Sequence, residues 1–527
     1  MDGSLIFTSV HYADAHYNLG RLLQGLQRFE AAEAAYRHVL RARPDCVEAC
    51  YNMGVLWQEQ HRFQEAEAAY RQTIRIQPRY ADAHYNLGIL LETTGQLDEA
   101  EACYRQALAS KPDYFAAHSG LLFVQNYRYD SHRAASFAEA MEYGERVAAQ
   151  ARMFRHKPNR AALPRRLRIG LVSGDLRHHP VGFFLEGVLA SLRTADVALF
   201  AYDTSALVDF FTDRLKGFLH HWRTVTTLTD AELARLIQAD AIDILLDVSG
   251  HTAHNRLPVF AWKPAPIQVA WLGYCATTGV AAMDYILGDA INLPDREKGH
   301  FLEKTWRLPD CYFCFTPPDF AIAVAALPAD TQPFVTFGCF NNATKITPAV
   351  LDCWANILLA VPESRLFLKN HLLRDPLQQQ KIAQQFQQAR IAPERLILEG
   401  PQTREAYLAA YNRVDIALDP FPFPGGTTSI EGLWMGVPVL TRKGNRFLAH
   451  QGETILVHAG LSEWIAQDTA DYVAKAIAFA NDRPRLSALR AGLRQQVLQS
   501  PLFDAPRFAN NLLEAWREMW RIWCQSG

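Results

Sequence analysis

Cysteine, net charge and long apolar runs are all scarce in this 527-residue chain. Nine cysteines are few for the length and odd in number, which argues against a disulfide framework. The formal net charge of −2 gives no reason to expect nucleic acid or an anionic membrane as a partner. No apolar run reaches the ~18–20 residues of a membrane span, and no basic-then-apolar leader opens the chain. These absences predict a cytoplasmic protein with neither kind of partner.

A metal site is not expected either. Cys311 and Cys314 form a lone C-x-x-C pair, and structural zinc would need a second pair of ligands at suitable spacing. Since the sequence offers no such pair, we interpret the two cysteines as part of a strand. The expectation is a protein without a metal or a bound cofactor.

What the chain has instead is an internal repeat. The segment at 16–20 (HYNLG) returns at 50–54 (CYNMG) and at 84–88 (HYNLG), and Tyr36, Tyr70 and Tyr104 recur with the same period. A period of 34 residues with this small-residue and Tyr pattern is the signature of tetratricopeptide repeats, which are stacked helix pairs. The concave wall of such a stack usually holds a polypeptide, so an acceptor or partner peptide is predicted.

Asn18, Asn52 and Asn86 occupy one recurrent position on the first helix of each repeat. An amide offers both a donor and an acceptor, so these side chains could bind a peptide backbone of any sequence. The alternative is a repeat-consensus residue with local hydrogen bonds.

Beyond the repeats the pattern changes to apolar runs that alternate with helical segments. The runs predict strands at 167–173, 197–202, 242–248, 267–272 and 285–287, then at 334–340, 365–368, 396–399, 415–418 and 437–440. Near-continuous apolar strands separated by helices indicate parallel sheets. The fold class is therefore α + α/β, with two Rossmann-like domains in tandem. Predicted boundaries are 1–155 for repeats and capping helices, 156–166 for a linker, 167–330 and 331–504 for the two α/β domains, and 505–527 for a closing helix.

A glycine-rich helix start lies in the second α/β domain. Gly425 and Gly426 follow a predicted strand, and Thr427 and Thr428 open the next helix. Backbone N–H groups and the helix dipole at such a start favour an anion, so we predict phosphate binding here, against the alternative of a capped helix. Glu431, in the first turn, could accept ribose hydroxyls or simply interact with the dipole.

Two further residues follow strands on the cleft side. Lys345 precedes a helix that begins with Thr347 as cap, and its ammonium group could neutralise a diphosphate leaving group. His179 follows the first strand and could act as a base or bind a phosphate oxygen. On position alone, each is also compatible with an ordinary surface or packed side chain.

Taken together and in order, these segments resemble the nucleocytoplasmic protein O-GlcNAc transferases, which join tetratricopeptide repeats to a two-domain GT-B glycosyltransferase. The matching segments are 179–180 (HP), 250–252 (GHT), 255–256 (NR), 264–268 (PAPIQ), 271–274 (WLGY), 277–279 (TTG), 283–285 (MDY), 340–341 (FN), 345–346 (KI), 354–358 (WANIL), 426–428 (GTT), 434–438 (WMGVP) and 500–503 (SPLF). The resemblance covers essentially the whole chain. It implies an inverting, metal-independent transfer of N-acetylglucosamine from UDP-GlcNAc to Ser and Thr hydroxyls of intracellular proteins.

The resemblance also implies roles for individual residues. Lys345 matches the lysine that stabilises the diphosphate, and His179 matches the histidine near the acceptor and donor phosphate. The implied nucleotide-sugar residues are Asn342, Arg404, Tyr407, Gly425, Gly426, Thr427, Thr428 and Glu431. The repeat asparagines, Asn18, Asn52 and Asn86, would bind the acceptor peptide.

Some positions depart from the family pattern and leave alternatives open. Gly426 and Tyr407 stand where animal enzymes have His, and Asn342 stands where they have Gln. Plant relatives of the same architecture transfer fucose from GDP-fucose, so that donor is a second candidate. A repeat scaffold with an inactive transferase region and a transferase with a small-molecule or lipid acceptor are the others. No feature of the sequence indicates an oligomeric state.

Overall fold

The computed structural model describes residues 3–128, 133–158 and 166–526, with side chains from residue 12 in the first range and 134 in the second. The chain divides into two compact units, 1–125 and 126–527. Most of the predicted linker, 159–165, lies outside the described residues. Within the described part of the chain, no helix is long and apolar enough to cross a membrane.

The first unit is built from paired helices, as the repeat predicts. In chain order they are α1 Gly3–Gly25, α2 Phe29–Ala42, α3 Val47–Glu59, α4 Phe63–Ile76, α5 Ala81–Thr93, α6 Leu97–Ser110 and α7 Phe115–Val124. The turns between paired helices are short, so neighbouring helices run antiparallel and bury the apolar face that neither could bury alone.

The recurrent glycine and tyrosine form one contact in each helix pair. A Cβ on Gly20, Gly54 or Gly88 would lie only 2.6–2.7 Å from the ring of Tyr36, Tyr70 or Tyr104, respectively. All three rings are buried. The repeat therefore requires glycine because the tyrosine ring packs directly on the helix backbone.

The second unit contains two parallel sheets, and we call the part that carries each sheet a lobe. The elements of the first lobe are β1 Leu167–Ser173, α9 Pro180–Leu192, β2 Val197–Asp203, α10 Phe210–Lys216, β3 His221–Thr224, α11 Asp230–Ala239, β4 Ile244–Asp247, α12 Leu257–Phe260, β5 Ile267–Ala270, β6 Tyr285–Gly288 and β7 Lys304–Arg307. Within residues 166–526 the strand order is β3-β2-β1-β4-β5-β6-β7, and every described pairing is parallel.

The second lobe repeats this topology. Its elements are β8 Thr336–Cys339, α13 Pro348–Ala360, β9 Arg365–Lys369, α14 Pro376–Gln388, β10 Leu396–Glu399, α15 Arg404–Ala409, β11 Ile416–Leu418, α16 Thr427–Trp434, β12 Val439–Arg442, α17 Gln451–His458, β13 Ile465–Ala466, α18 Thr469–Ala480, α19 Arg483–Leu498 and α20 Ala505–Gln525. The order β10-β9-β8-β11-β12-β13 reverses direction between β8 and β11. Ligands of doubly wound sheets bind at the carboxyl ends of the strands beside such a reversal.

Two helices lie away from the lobe or repeat that precedes them in sequence. The closing helix α20 returns to the first lobe, where a Cβ on Gly187 of α9 would lie 3.1 Å from Ala505 Cβ. The helix α8, Arg133–Gln150, also belongs to the second unit, whereas we expected the repeats and their capping helices to extend to residue 155. The reason is close packing, since a Cβ on Gly144 would lie 1.7 Å from Gly279 O, after β5.

The glycine–tyrosine contact gives a test of the repeat architecture. Gly54→Ala would force the Tyr70 ring away from the helix, and we expect it to lower the free energy of unfolding by about 1–3 kcal/mol. Gly25→Ala is the matched control, because no heavy atom lies within 4 Å of its added Cβ. Scanning calorimetry of the full chain measures both, and equal unfolding temperatures for the two variants would contradict the packing described.

Candidate active site

The strand reversal in the second lobe brings two predicted site segments together. The loop after β8 carries Lys345, and the loop after β11 carries the glycine-rich segment before α16. Lys345 Nζ donates a hydrogen bond to Pro424 O across 2.8 Å. Because β8 and β11 are adjacent, residues 79 positions apart in sequence meet at one edge of the sheet.

Lys345 is held as a poorly solvated cation. Its Nζ lies 3.9 Å from the centre of the Phe423 ring. Burial lowers the pKa of Lys345 to about 8, although the carboxylate of Asp419 opposes that change. The Lys345 side chain is half-buried, and within residues 166–526 no carboxylate forms an ion pair with it, so an incoming phosphate would stabilise the ammonium group.

Asp419 holds the glycine-rich segment in place through hydrogen bonds. The backbone N–H of Gly425 donates to Asp419 Oδ1 across 2.7 Å, and Ser429 Oγ donates to the same oxygen across 3.1 Å. Thr441 Oγ1 donates to Asp419 Oδ2 across 2.9 Å. Burial raises the pKa of Asp419 to about 6, against these hydrogen bonds.

The helix α16 begins at Thr427 with Gly426 as its cap residue, so Glu431 lies beyond the first turn in which we expected it. The first N–H groups of a helix have no intrahelical partner, so this start offers donors and a positive dipole end to an anion. Thr428 Oγ1 donates to Asn341 Oδ1 across 2.9 Å, which ties the helix start to the loop after β8. Asn342 is exposed, and its Oδ1 accepts from Thr344 N across 3.3 Å as the cap of a short turn.

Arg404, Tyr407 and Glu431 are also brought together. Arg404 Nη2 forms an ion pair with Glu431 Oε1, and Tyr407 Oη donates to Glu431 Oε2 across 3.0 Å. Glu431 is 1% exposed. The Arg404 guanidinium lies 4.7 Å from the ring centre of Phe183 in the first lobe. Both oxygens of Glu431 thus already contact protein groups, which the sequence did not predict.

His179 caps α9, and its protonation follows from that contact. Val181 N donates to His179 Nδ1 across 3.4 Å, which favours the tautomer with its proton on Nε2, while Asp175 Oδ1 lies 3.6 Å from the same Nδ1. Burial, together with the positive charge of Arg177, lowers the pKa of His179 to about 4. A neutral ring whose outer nitrogen carries hydrogen is suited to donate to a substrate oxygen rather than to remove a proton.

The two lobes contact each other through α17 and the turn before it. Gln451 Nε2 donates to Tyr312 Oη across 2.8 Å, and Thr454 Oγ1 donates to Asp289 Oδ2 across 2.7 Å. His450 Nε2 lies 3.1 Å from Glu297 Oε1. Although burial favours the neutral ring, hydrogen bonds to Glu297 and to Glu453 of the same lobe raise the pKa of His450. These contacts fix one lobe against the other.

The repeat asparagines form a ladder in the first unit. Asn52 Nδ2 donates to Tyr17 Oη across 3.1 Å, and Asn86 Nδ2 donates to Tyr51 Oη across 2.8 Å. Asn18, in the first repeat, is exposed. The local hydrogen bonds of the alternative interpretation are therefore present at Asn52 and Asn86, and each amide keeps an oxygen for another partner.

Several residues of the site were missed by sequence reasoning. These residues contact the same region: Asp419, Phe423, Asn341, Tyr312 and Gln451. Asp419 and Asn341 carry a recognisable signal, because each follows a strand at the reversal, and the other three carry none. Elsewhere among the described residues, Asp289, Cys311 and His458 lie with possible ligand atoms within 4.8 Å of one another. Asp289 and His458 already bond Thr454 in that cluster, which fits a structural role.

A pair of doubly wound lobes with a glycine-rich helix start and a lysine ammonium group at the strand reversal is the arrangement of two-domain GT-B glycosyltransferases. The chain belongs to glycosyl transferase family 41, which residues 117–317 and 322–512 match. Residues 13–46 and 51–115 match tetratricopeptide repeats.

Relatives and a solved structure agree with this assignment. The chain is 36% identical over 401 residues to the probable UDP-N-acetylglucosamine–peptide N-acetylglucosaminyltransferase SPINDLY of Petunia hybrida, with 75% of this chain and 42% of that protein covered. It is 30% identical over 372 residues to the corresponding SEC protein of Arabidopsis thaliana, with 68% and 38% covered. The chain thus spans less than half the length of these relatives.

One similar solved structure is that of the O-GlcNAc transferase of Thermobaculum terrenum in a lysine-to-methionine mutant form. Its TM-score is 0.91 at 37% identity, and the match covers 98% of this chain and 99% of that chain. The agreement in fold extends to nearly the whole molecule and confirms the predicted fold class.

The environment of Lys345 predicts an unusual effect on stability. Lys345→Met removes an ammonium group that burial disfavours, so we expect the unliganded variant to unfold at the same or a higher temperature than wild type at pH 7. The folded protein releases this proton near pH 8, and the unfolded chain releases it near 10.5, so wild-type stability rises relative to the variant across that range.

Thermal unfolding from pH 7 to pH 10.5 measures the difference. If Lys345→Met unfolds at a higher temperature than wild type at pH 7, that difference in unfolding temperature should shrink as the pH rises. Lys381→Met, at an exposed lysine of α14, controls for the loss of a surface lysine. A Lys345→Met variant that unfolds several degrees below wild type at pH 7 would contradict this description of the site.

Proposed function

We propose that this chain is a cytoplasmic enzyme that transfers N-acetylglucosamine from UDP-GlcNAc to Ser or Thr hydroxyls of proteins, without a metal ion. The observation that carries the proposal is the meeting of Lys345 with the glycine-rich start of α16 at the strand reversal. The printed names of the relatives, which describe peptide N-acetylglucosaminyltransferases, favour this donor and this class of acceptor.

The chemistry follows from where charge develops. In an inverting displacement, the acceptor hydroxyl attacks the anomeric carbon from one face and gives up its proton to water or to the departing diphosphate. The bond from that carbon to the diphosphate oxygen breaks on the other face. The departing oxygen takes the electron pair, so negative charge grows on the diphosphate. Lys345 and the N–H groups at the start of α16 would stabilise that charge in a poorly solvated site, where such interactions are strong.

The remaining residues would position the substrates. Asp419 holds Gly425 in place through the backbone, so the loop is preorganised before the nucleotide binds. Arg404, Tyr407 and Glu431 form a polar cluster beside Phe183 that would receive the nucleoside, with Arg404 and Tyr407 near the uracil and Glu431 near the ribose. Asn342 would contact the nucleotide from the exposed loop. His179 would donate from Nε2 to a phosphate or sugar oxygen.

GDP-fucose is the second donor to test. Wild-type protein, purified without added nucleotide, is titrated calorimetrically with UDP and with GDP, since a site that hydrogen-bonds one base disfavours the other. The same protein is incubated with a cell lysate and each radiolabelled sugar nucleotide. We expect UDP to bind more tightly and label to enter protein, with transfer reduced on the order of 10²–10³-fold in Lys345→Met.

The other outcomes identify the rivals. Tighter binding of GDP, together with transfer of fucose, would show that the donor is GDP-fucose. If small molecules or lipids become labelled and protein does not, the acceptor is a small molecule or a lipid. No binding of either nucleotide would indicate a repeat scaffold whose transferase region is inactive.

We propose further that Asn18, Asn52 and Asn86 bind the acceptor peptide through its backbone. Asn86→Ala removes both the amide and its bond to Tyr51, whereas Tyr51→Phe removes only that bond. Each loses a hydrogen bond of about 1 kcal/mol in stability. We expect only Asn86→Ala to raise KM for a protein acceptor. Equal KM values in the two variants would show that the asparagine serves the ladder alone.

A further inference from the structure

Gln451, the first residue of α17, lies opposite the glycine-rich helix start. A Cβ added to Gly426 would lie 3.8 Å from Gln451 Oε1, with no other non-neighbouring heavy atom within 4 Å. Gly426 therefore opens onto a space whose nearest wall is the side-chain oxygen of Gln451. This space lies at the N-terminus of α16, where the proposed function places the diphosphate.

The orientation of the Gln451 amide is fixed by the other lobe. Its Nε2 donates to Tyr312 Oη across 2.8 Å and to Cys275 Sγ across 3.1 Å. Both hydrogens of the amide nitrogen are thereby used, and both acceptors belong to the first lobe. Within residues 166–526, no donor reaches Gln451 Oε1, so this oxygen is presented with its acceptor capacity unused.

The same region contains the Lys345 ammonium. Burial raises the pKa of the Cys275 thiol to about 11, and the positive charge of Lys345 acts in the opposite direction. Cys275 is thus near both Lys345 and Gln451. The cation, the helix start and the amide oxygen all belong to the second lobe and border one space, beside Cys275 of the first lobe.

The chemistry of these groups divides the space into two parts. Lys345 and the helix start attract an anion, whereas a carbonyl oxygen repels one and accepts a hydrogen bond. A ligand that satisfies both carries a negative diphosphate joined to a group with O–H or N–H donors. A hexose attached to the diphosphate meets that requirement. The ribose of the nucleotide also carries O–H donors, but the proposed function places the nucleoside at the cluster of Arg404, Tyr407 and Glu431, which leaves the hexose for Gln451.

We propose that Gln451 is a sugar-recognising residue, whose Oε1 accepts a hydrogen bond from a hydroxyl or N–H of the hexose while the diphosphate occupies the start of α16. Tyr312 and Cys275 are positioning residues that hold the amide in this orientation. The inference rests on the proposed function, but it assigns a separate part of the donor to a residue that no sequence motif marks.

The test compares a nucleotide with its sugar-bearing form. Calorimetric titration of the full chain with UDP and with UDP-GlcNAc, or with GDP and GDP-fucose if the guanine nucleotide binds, gives two Kd values per variant. Gln451→Met keeps the length of the side chain and removes its acceptor. We expect Kd for the sugar nucleotide to rise roughly tenfold, as for one lost hydrogen bond, and Kd for the nucleotide to stay within about twofold.

The control and the backup variant isolate the cause. Gln496→Met, in α19, removes a glutamine whose Nε2 bonds Ala459 O and should change neither Kd. If Gln451→Met fails to fold, Tyr312→Phe frees the amide while leaving Oε1 in place, and it should weaken the sugar nucleotide selectively. An equal loss for both ligands, or no loss for either, in the variant used overturns the assignment of Gln451. Failure of wild type to bind any nucleotide instead overturns the proposed function.

Discussion

The site depends on the half-buried ammonium group of Lys345, which donates a hydrogen bond to Pro424 O just before the start of α16. The strand order of the second lobe makes β8 and β11 neighbours, and this adjacency places Lys345 beside Pro424. Asp419 lies at the end of β11 and fixes Gly425 through a backbone hydrogen bond. Folding thus places the Lys345 ammonium group at one sheet edge, where the nearby carboxylate of Asp419 offsets only part of the cost of its burial. Such an arrangement is unfavourable for the empty protein and favourable once a diphosphate binds.

The second constraint is the contact between the lobes. Arg404 of the second lobe lies on Phe183 of the first, and Gln451 bonds Tyr312. His450 and Thr454 add an ion pair and a hydrogen bond along the same face. A donor in this region would touch both lobes at once, so its binding energy depends on their relative position.

Much of the fold could be predicted because it rests on local periodicity. The 34-residue repeat specified the helix pairs, and the apolar runs located buried strands such as β1 at its observed limits. The strands β3, β7 and β13 were missed, since each is short, lies toward a sheet edge and has a less uniform apolar pattern. The helix α8 was grouped with the repeats because its periodicity does not reveal that Gly144 packs on the loop at Gly279.

The site was predicted where chemistry coincides with a strand end, and missed where it depends on tertiary contacts. Lys345 and Gly426 follow strands and carry a direct signal. Gln451 has none, because its orientation comes from Tyr312, 139 residues earlier. Likewise, the spacing of the residues could not predict that Glu431 forms an ion pair with Arg404 and accepts a hydrogen bond from Tyr407.

The most direct test of the central claim is a crystal structure of the protein with UDP bound. The account predicts the pyrophosphate at the start of α16, with Lys345 Nζ moved from Pro424 O to within about 3 Å of a phosphate oxygen. A pyrophosphate bound elsewhere, with Lys345 still on Pro424 O, would contradict it.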